Sequence, residues 1–184
     1  MLKMHQGLAV EKEELSAIAK VSESQSDGSI QFDYEGNKIY FISLGCPRNL
    51  VDTEVMLGIL LKAGYEVSPT LETADYIVIN TCGFLEASRK ESTDTIEDVI
   101  AQKKQSAKLV VTGCMVQKHH DHLQEQYPGI DYLLGSGDVQ GILEAVQSTS
   151  KGKNVTTAKS FLEVGEIPRQ LSTPKHFAYL KIAE

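Results

Sequence analysis

The chain reads as an α/β protein built on an open five-stranded parallel sheet with helices on both faces. Three observations predict this. Short apolar runs of strand length recur between residues 38 and 134. Longer stretches with apolar residues at helical spacing alternate with them. No hairpin signal joins neighbouring runs, so consecutive strands must be linked by crossovers, which are right-handed in a parallel sheet. For five strands in this alternation the expected order is 2-1-3-4-5, flavodoxin-like.

The first strand is Ile39–Leu44, running into Gly45-Cys46-Pro47. Asn49 is the expected cap of the helix that follows, because its side chain can accept bonds from first-turn amides. Leu50, Leu57, Leu60 and Leu61 supply that helix's core stripe, and Gly64 stops it. A short strand at Tyr65–Ser68 ends at Pro69. The third strand spans Ala74–Asn80 and runs into the Thr81-Cys82-Gly83-Phe84 turn. Ser88 with Glu91 reads as a capping box, opening a helix whose inner face carries Ile96, Val99 and Ile100. Its acids Glu86, Glu91 and Asp94 lie early and Lys103 and Lys104 late, as the helix dipole favours. Lys108–Thr112 is the fourth strand, Met115–Gln126 a helix and Ile130–Leu134 the fifth strand. Gly135-Ser136-Gly137 then turns into a helix capped by Asp138.

Outside this alternation the chain is polar. Residues 1–36 contain a Ser/Asp/Gly-rich stretch and few apolar side chains, so they are expected to form a loose or disordered arm. Residues 37–147 form the expected domain. Residues 148–184 are expected to be a linker, beginning Ser148–Asn154, and then a strand-like run His176–Ile182 that has no partner here and leads toward a further domain.

Composition narrows the function. The chain has 184 residues, 41% of them apolar, and a formal net charge of -7. That charge and a pI near 5.3 argue against broad nucleic-acid binding, which needs a basic face. No run reaches the roughly 18 apolar residues of a membrane span, and the first ten residues lack a signal-peptide core. The expected address is the cytoplasm. Three cysteines cannot all pair with one another, and a reducing compartment leaves them as thiols or ligands.

Their placement is the main functional signal. Cys46, Cys82 and Cys114 each stand just past the carboxyl end of a strand, at the entrance to a helix. In the order 2-1-3-4-5 those three strands are neighbours, about 4.8 Å apart. The three thiols can then share one crevice, at the point where open parallel sheets bind ligands. Soft sulfur donors select zinc or an iron-sulfur cluster. Zinc wants a fourth donor, for which His119, His120 and His122 are candidates, but the closely spaced cysteine pairs of structural zinc sites are absent. A 4Fe-4S cluster held by three cysteines leaves one iron free to bind an external sulfur species.

The stretch Ser43-Leu44-Gly45-Cys46-Pro47-Arg48-Asn49-Leu50-Val51-Asp52-Thr53-Glu54, with Asn80-Thr81-Cys82-Gly83-Phe84 and Val111-Thr112-Gly113-Cys114, resembles the N-terminal domain of the methylthiotransferases. These are radical enzymes that use S-adenosylmethionine. Cys-Pro-Arg-Asn and Asn-Thr-Cys-Gly-Phe resemble the ribosomal-protein (RimO-like) branch more than the tRNA branch. The resemblance covers residues 38–147. It implies that Cys46, Cys82 and Cys114 bind an auxiliary 4Fe-4S cluster whose open iron carries the sulfur or methylthio group. It also implies a second 4Fe-4S cluster, with S-adenosylmethionine, in a downstream radical domain that this chain lacks. The implied substrate is the beta-carbon of an aspartate in a small-subunit ribosomal protein, and the fragment alone is expected to be inactive. Two alternatives remain: a tRNA adenosine methylthiotransferase domain, or a flavodoxin-like module with structural or zinc-binding cysteines.

Other features carry less. Gly135-Ser136-Gly137 can bind phosphate before a helix but reads better as a turn. Asp52 and Glu54 read as first-turn acids favoured by the helix dipole. Asn80 and Thr81 read as satisfying the turn's backbone. No catalytic or substrate-binding residue is singled out.

Overall fold

Strands joined by crossovers and not by hairpins favour parallel pairing, and the computed structural model, which describes residues 37–156 and 167–182, shows that pairing throughout. Strands β1 (Lys38–Ser43), β2 (Glu66–Val67), β3 (Tyr76–Thr81), β4 (Lys108–Gly113), β5 (Tyr132–Gly135) and β6 (Gly152–Asn154) form one sheet in the order β2-β1-β3-β4-β5-β6. Every neighbouring pair is parallel. The helices are α1 (Pro47–Lys62), α2 (Glu86–Gln102), α3 (Cys114–Gln126) and α4 (Ile142–Gln147). The expected arm at residues 1–36 lies outside the described residues.

Alternation along the strands divides the core between the two faces. Phe41, Val78, Val110 and Leu134 point to the side of α1 and α4, against Met56, Leu60 and Ile142. Ile77, Ile79, Leu109 and Val111 point to the side of α2 and α3, against Ile96, Val116 and Leu123. Each fully buried aliphatic side chain contributes about 1.5–3 kcal/mol, so these two layers hold the sheet's carboxyl edge in a fixed shape.

The sheet has six strands, not five. The first five keep the order 2-1-3-4-5, and β6 adds to the outer edge of β5 with Tyr132 opposite Gly152. The stretch 148–154 is thus no mere linker, and the sheet does not close at residue 147. Gly152 permits the pairing because a Cβ there would lie 2.6 Å from the Tyr132 ring.

Four local expectations are also corrected. Asn49 does not cap α1: Pro47 starts the helix, its missing N–H being one that has no partner in any first turn. Ser88 and Glu91 form no capping box, since α2 already begins at Glu86. After Asp138 the chain makes a 3-10 turn at Val139–Gly141 before α4, and the Asp138 carboxylate accepts from Thr156 N and Oγ1 instead of capping. The run His176–Ile182 is not a strand. Its alternation is inverted, with Leu180 and Ile182 exposed and Lys181 buried.

That tail is instead strapped to α1. Glu54, only 1% exposed, accepts from Arg169 Nε (2.9 Å) and Nη2 (2.6 Å) and from Ser172 N and Oγ (both 2.7 Å). Lys181 Nζ lies 3.0 Å from Asp52 Oδ1, both side chains buried. Asp52 and Glu54 are therefore buried ion-pair partners beyond the helix's first turn, not first-turn acids placed by its dipole. Gly58 lets the strap cross, because a Cβ there would meet the Pro168 carbonyl at 2.6 Å.

On the opposite face, Tyr127 Oη donates to Glu97 at 3.0 Å. Burial, followed by the neighbouring Glu97 carboxylate, pushes the Tyr127 hydroxyl from 10.0 up to about 12. The folded state favours the neutral phenol, so the associated stability is complete below pH 10.0 and is lost as pH rises through about 12. Tyr127→Phe should be less stable than the parent at neutral pH, with the difference shrinking across that window in base-unfolding curves.

Candidate metal centre

The carboxyl ends of β1, β3 and β4 lie side by side, with Ser43 opposite Asn80 and Thr81 opposite Gly113. Each strand is followed by a cysteine, and Cys46, Cys82 and Cys114 all line one cleft of about 1170 Å³. Cys46 is exposed, Cys82 buried and Cys114 half-buried, and all three are free thiols.

Two glycines allow the turns to come this close. A Cβ on Gly45 would stand 2.6 Å from Cys82 Cβ and 2.9 Å from its Sγ, and one on Gly83 would meet Met115 Cα at 2.8 Å. Gly45 also has φ +91, a left-handed conformation that costs other residues about 1 kcal/mol or more. Gly45→Ala should therefore displace Cys82, expose its thiol and reduce the unfolding midpoint. Thiol labelling beside a thermal melt checks this.

Asn49 is the hub of the site. Its side chain is buried, 1% exposed, and reaches all three cysteine-bearing turns. Nδ2 donates to the carbonyl of Leu44 (2.8 Å), two residues before Cys46, and to that of Thr81 (3.1 Å), next to Cys82. Oδ1 accepts from Cys114 Sγ at 3.7 Å. Asn80 returns the contact by donating to Asn49 O (2.8 Å) and Thr53 Oγ1 (3.0 Å). Thr81 Oγ1 donates to Thr112 O at 2.5 Å, joining β3 to β4. Ser92 of α2 completes the frame, accepting from Cys82 N and donating to Cys82 O. The sequence suggested Asn49 only as a helix cap and not as a tie between the cysteine turns, although Pro47 at the first helical position was a signal that residue 49 lay inside the helix.

The Cys114 thiol feels its neighbours. Burial pushes the Cys114 thiol up, Arg48 pulls it partly back, and Cys82, Cys46 and Asp52 add to the rise. Arg48 also lines the cleft, a cation beside groups that become anionic when they bind metal.

Fit to a metal group can be judged from the donors. Among the described residues no three His, Cys, Asp or Glu side chains are grouped to hold a single ion. One zinc would gather its sulfurs to about 3.8 Å, the edge of a tetrahedron with 2.3 Å bonds. The 4Fe-4S unit is wider, takes each thiolate on a different iron, and suits three soft donors on separate strand ends. His119, His120 and His122 lie on α3 outside the cleft lining, with His120 Nε2 3.5 Å from Asp121. Gly135-Ser136-Gly137 also lies outside it.

The sequence pattern of the Uncharacterized protein family UPF0004 matches residues 38–135, the stretch that contains all three cysteine turns. The chain belongs to that family. Similar curated proteins carry a more informative name. The chain is 69% identical over 173 residues to the ribosomal protein uS12 methylthiotransferase RimO of Protochlamydia amoebophila, covering 94% of this chain and 36% of the relative. It is 64% identical over 148 residues to that of Chlamydia caviae, covering 80% and 32%. It is 43% identical over 155 residues to that of Bdellovibrio bacteriovorus, covering 82% and 34%. The UPF0004 region described above is a RimO-like N-terminal domain. The chain spans about a third of the length of these curated relatives. No helix among the described residues is long and apolar enough to cross a membrane.

Proposed function

We propose that this chain is the auxiliary cluster-binding domain of a ribosomal-protein methylthiotransferase, with Cys46, Cys82 and Cys114 as the ligands of a 4Fe-4S cluster. The observation that carries the reading is the convergence of three thiols, from three adjacent strand ends, on one cleft. When bound, such a cluster supplies an iron without a protein ligand, to which the sulfur or methylthio group for transfer can attach. The protein's part is to hold the thiols at fixed separations through Asn49, to keep Arg48 beside them as a counter-charge, and to leave the mouth of the cleft open toward a substrate.

In this reading the whole enzyme uses S-adenosylmethionine and a second 4Fe-4S cluster in a downstream domain. Its substrate is the beta-carbon of an aspartate in the small-subunit ribosomal protein that the relatives' name specifies. The domain acts in the cytoplasm, where reduced thiols stay available for metal, and alone it transfers nothing. No catalytic residue is assigned within it.

The test is mass spectrometry of the ribosomal protein after incubation with the full-length enzyme and S-adenosylmethionine under reducing, anaerobic conditions. A mass gain equal to replacement of one hydrogen by a methylthio group is expected, and Cys82→Ala should abolish it. Modification of tRNA in place of the protein would move the substrate assignment to the other branch.

A further inference from the structure

The cleft extends well beyond the cysteines. It continues as a groove between α2 and the β2–β3 connection, and its shape follows from an omission in the fold. Parallel crossovers ordinarily lay a helix over the sheet, but residues 68–75 contain none. On the α2 side of the sheet the outer part of β1 is therefore left partly open, and Tyr40, Ile42 and Leu44 are only half-buried there. They line the groove. β2 pairs with β1 only at Lys38 and Ile39, so beyond Ile39 no strand among the described residues lies on that side of β1.

One wall is a polar stripe of α2, in which Ser88, Glu91, Thr95, Asp98 and Gln102 recur at helical spacing. The other is the loop Pro69–Glu72, braced by Ser68 Oγ donating to Thr70 O (2.8 Å) and by its 2.7 Å contact with Thr73 Oγ1. From Ser88 to Gln102 the wall runs about 21 Å at 1.5 Å per residue, the length of about six extended residues.

The groove is negatively charged along its length. Glu72, Glu91 and Asp98 line it, and their carboxylates form no ion pair among the described residues. Its lining contains no lysine, and its one arginine, Arg48, lies next in line but one to Cys46. Near the cysteines Phe84 and Leu85 also line the cleft, 77% and 58% exposed. Large apolar side chains left in water beside a binding site mark a contact surface.

We infer that this groove holds an extended, basic segment of the protein substrate, flanking the side chain presented to the cysteine site. An extended chain alternates its side chains, so one set can rest on Tyr40 and Ile42 while lysines or arginines meet Glu72, Glu91 and Asp98. Phe84 and Leu85 grip the end nearest the metal. This identification of the partner's chemistry rests on the function proposed above, whereas the groove's preference for a basic peptide is measurable without any metal.

The probe is a fluorescent octapeptide alternating lysine with leucine, titrated by anisotropy into the metal-free 184-residue chain. Controls are the same peptide with glutamate for lysine and a single-stranded RNA octamer. The lysine peptide should bind, more weakly as salt rises, and the glutamate peptide and the RNA should not. The triple variant Glu72→Gln, Glu91→Gln, Asp98→Gln should bind it about tenfold more weakly, as the loss of three partly exposed ion pairs implies. Glu125→Gln, an exposed acid on α3, should change nothing. A photo-crosslinking residue in place of Thr95 should capture the peptide. Equal binding by the triple variant, or RNA binding that the variant weakens in the same way, overturns the inference. Iron and sulfide uptake, measured in parallel, should be the same in the triple variant and the parent. Failed uptake with intact peptide binding would count against the cluster and leave the groove standing.

Discussion

Asn49→Ala should lower both stability and iron uptake, and by more than any other single change at the site that spares a cysteine. The substitution removes two hydrogen bonds to backbone carbonyls and the contact with Cys114. The residue and Thr81 are buried, so the Thr81 carbonyl is left without its donor in a place where water enters poorly. An orphaned buried polar group costs about 1–3 kcal/mol, and the cavity adds to that, so a total of about 2–4 kcal/mol is expected in urea unfolding. The second readout separates positioning from plain destabilisation. Asn49→Asp conserves size but turns a second acceptor toward the Leu44 and Thr81 carbonyls, and should bind little iron even at temperatures where it is fully folded. A folded Asn49→Asp chain with full iron content would show that the turns hold their places without this side chain.

The second large effect lies far from the cysteines in sequence. Arg169→Met should destabilise the chain by about 3–5 kcal/mol, the usual cost of removing one member of a buried ion pair. Glu54 is almost wholly enclosed and would keep only Ser172 N and Oγ as donors. The double variant Glu54→Leu with Arg169→Met removes the buried charge as well, and should recover much of the loss. Denaturant midpoints of the parent, the two single variants and the double variant measure the coupling. If Arg169→Met costs under about 1 kcal/mol, the strap behaves like an exposed surface pair and contributes little to holding α1.

These two cases show what a single sequence does and does not reveal. The strands carrying the cysteines were legible because Ile77–Ile79 and Leu109–Val111 are buried on both faces and end in small polar turns. The parallel order followed from the absence of hairpins. β6 was invisible because Gly152-Lys153-Asn154 has no apolar signal, and its strand character comes from the free edge of β5. Asp52 and Glu54 looked like dipole-favoured acids because their partners, Lys181 and Arg169, stand 129 and 115 residues away. In the tail, alternation suggested a strand, but the inward residue is a lysine meeting a carboxylate, which periodicity of apolar residues cannot report. The groove had a readable cue. Too few residues separate Ser68 from Tyr76 for a crossover helix, so one face of β1 had to be short of cover.

For the cysteines themselves the sequence was most informative about placement and least about arrangement. Three strand-end thiols imply a shared crevice only if the strand order is right, and the order of the first five strands is as expected. What no local pattern contains is the side chain that draws the three turns together, since Asn49 acts across 32 residues to Thr81 and 65 to Cys114.

The most direct measurement is iron and acid-labile sulfide analysis of this chain after anaerobic reconstitution, on the parent and on Cys46→Ala, Cys82→Ala and Cys114→Ala. About four irons and four sulfides per chain are expected in the parent, with each single substitution sharply reducing both. One tightly held zinc with no sulfide, or full iron retained after loss of any of the three thiols, would contradict the assignment.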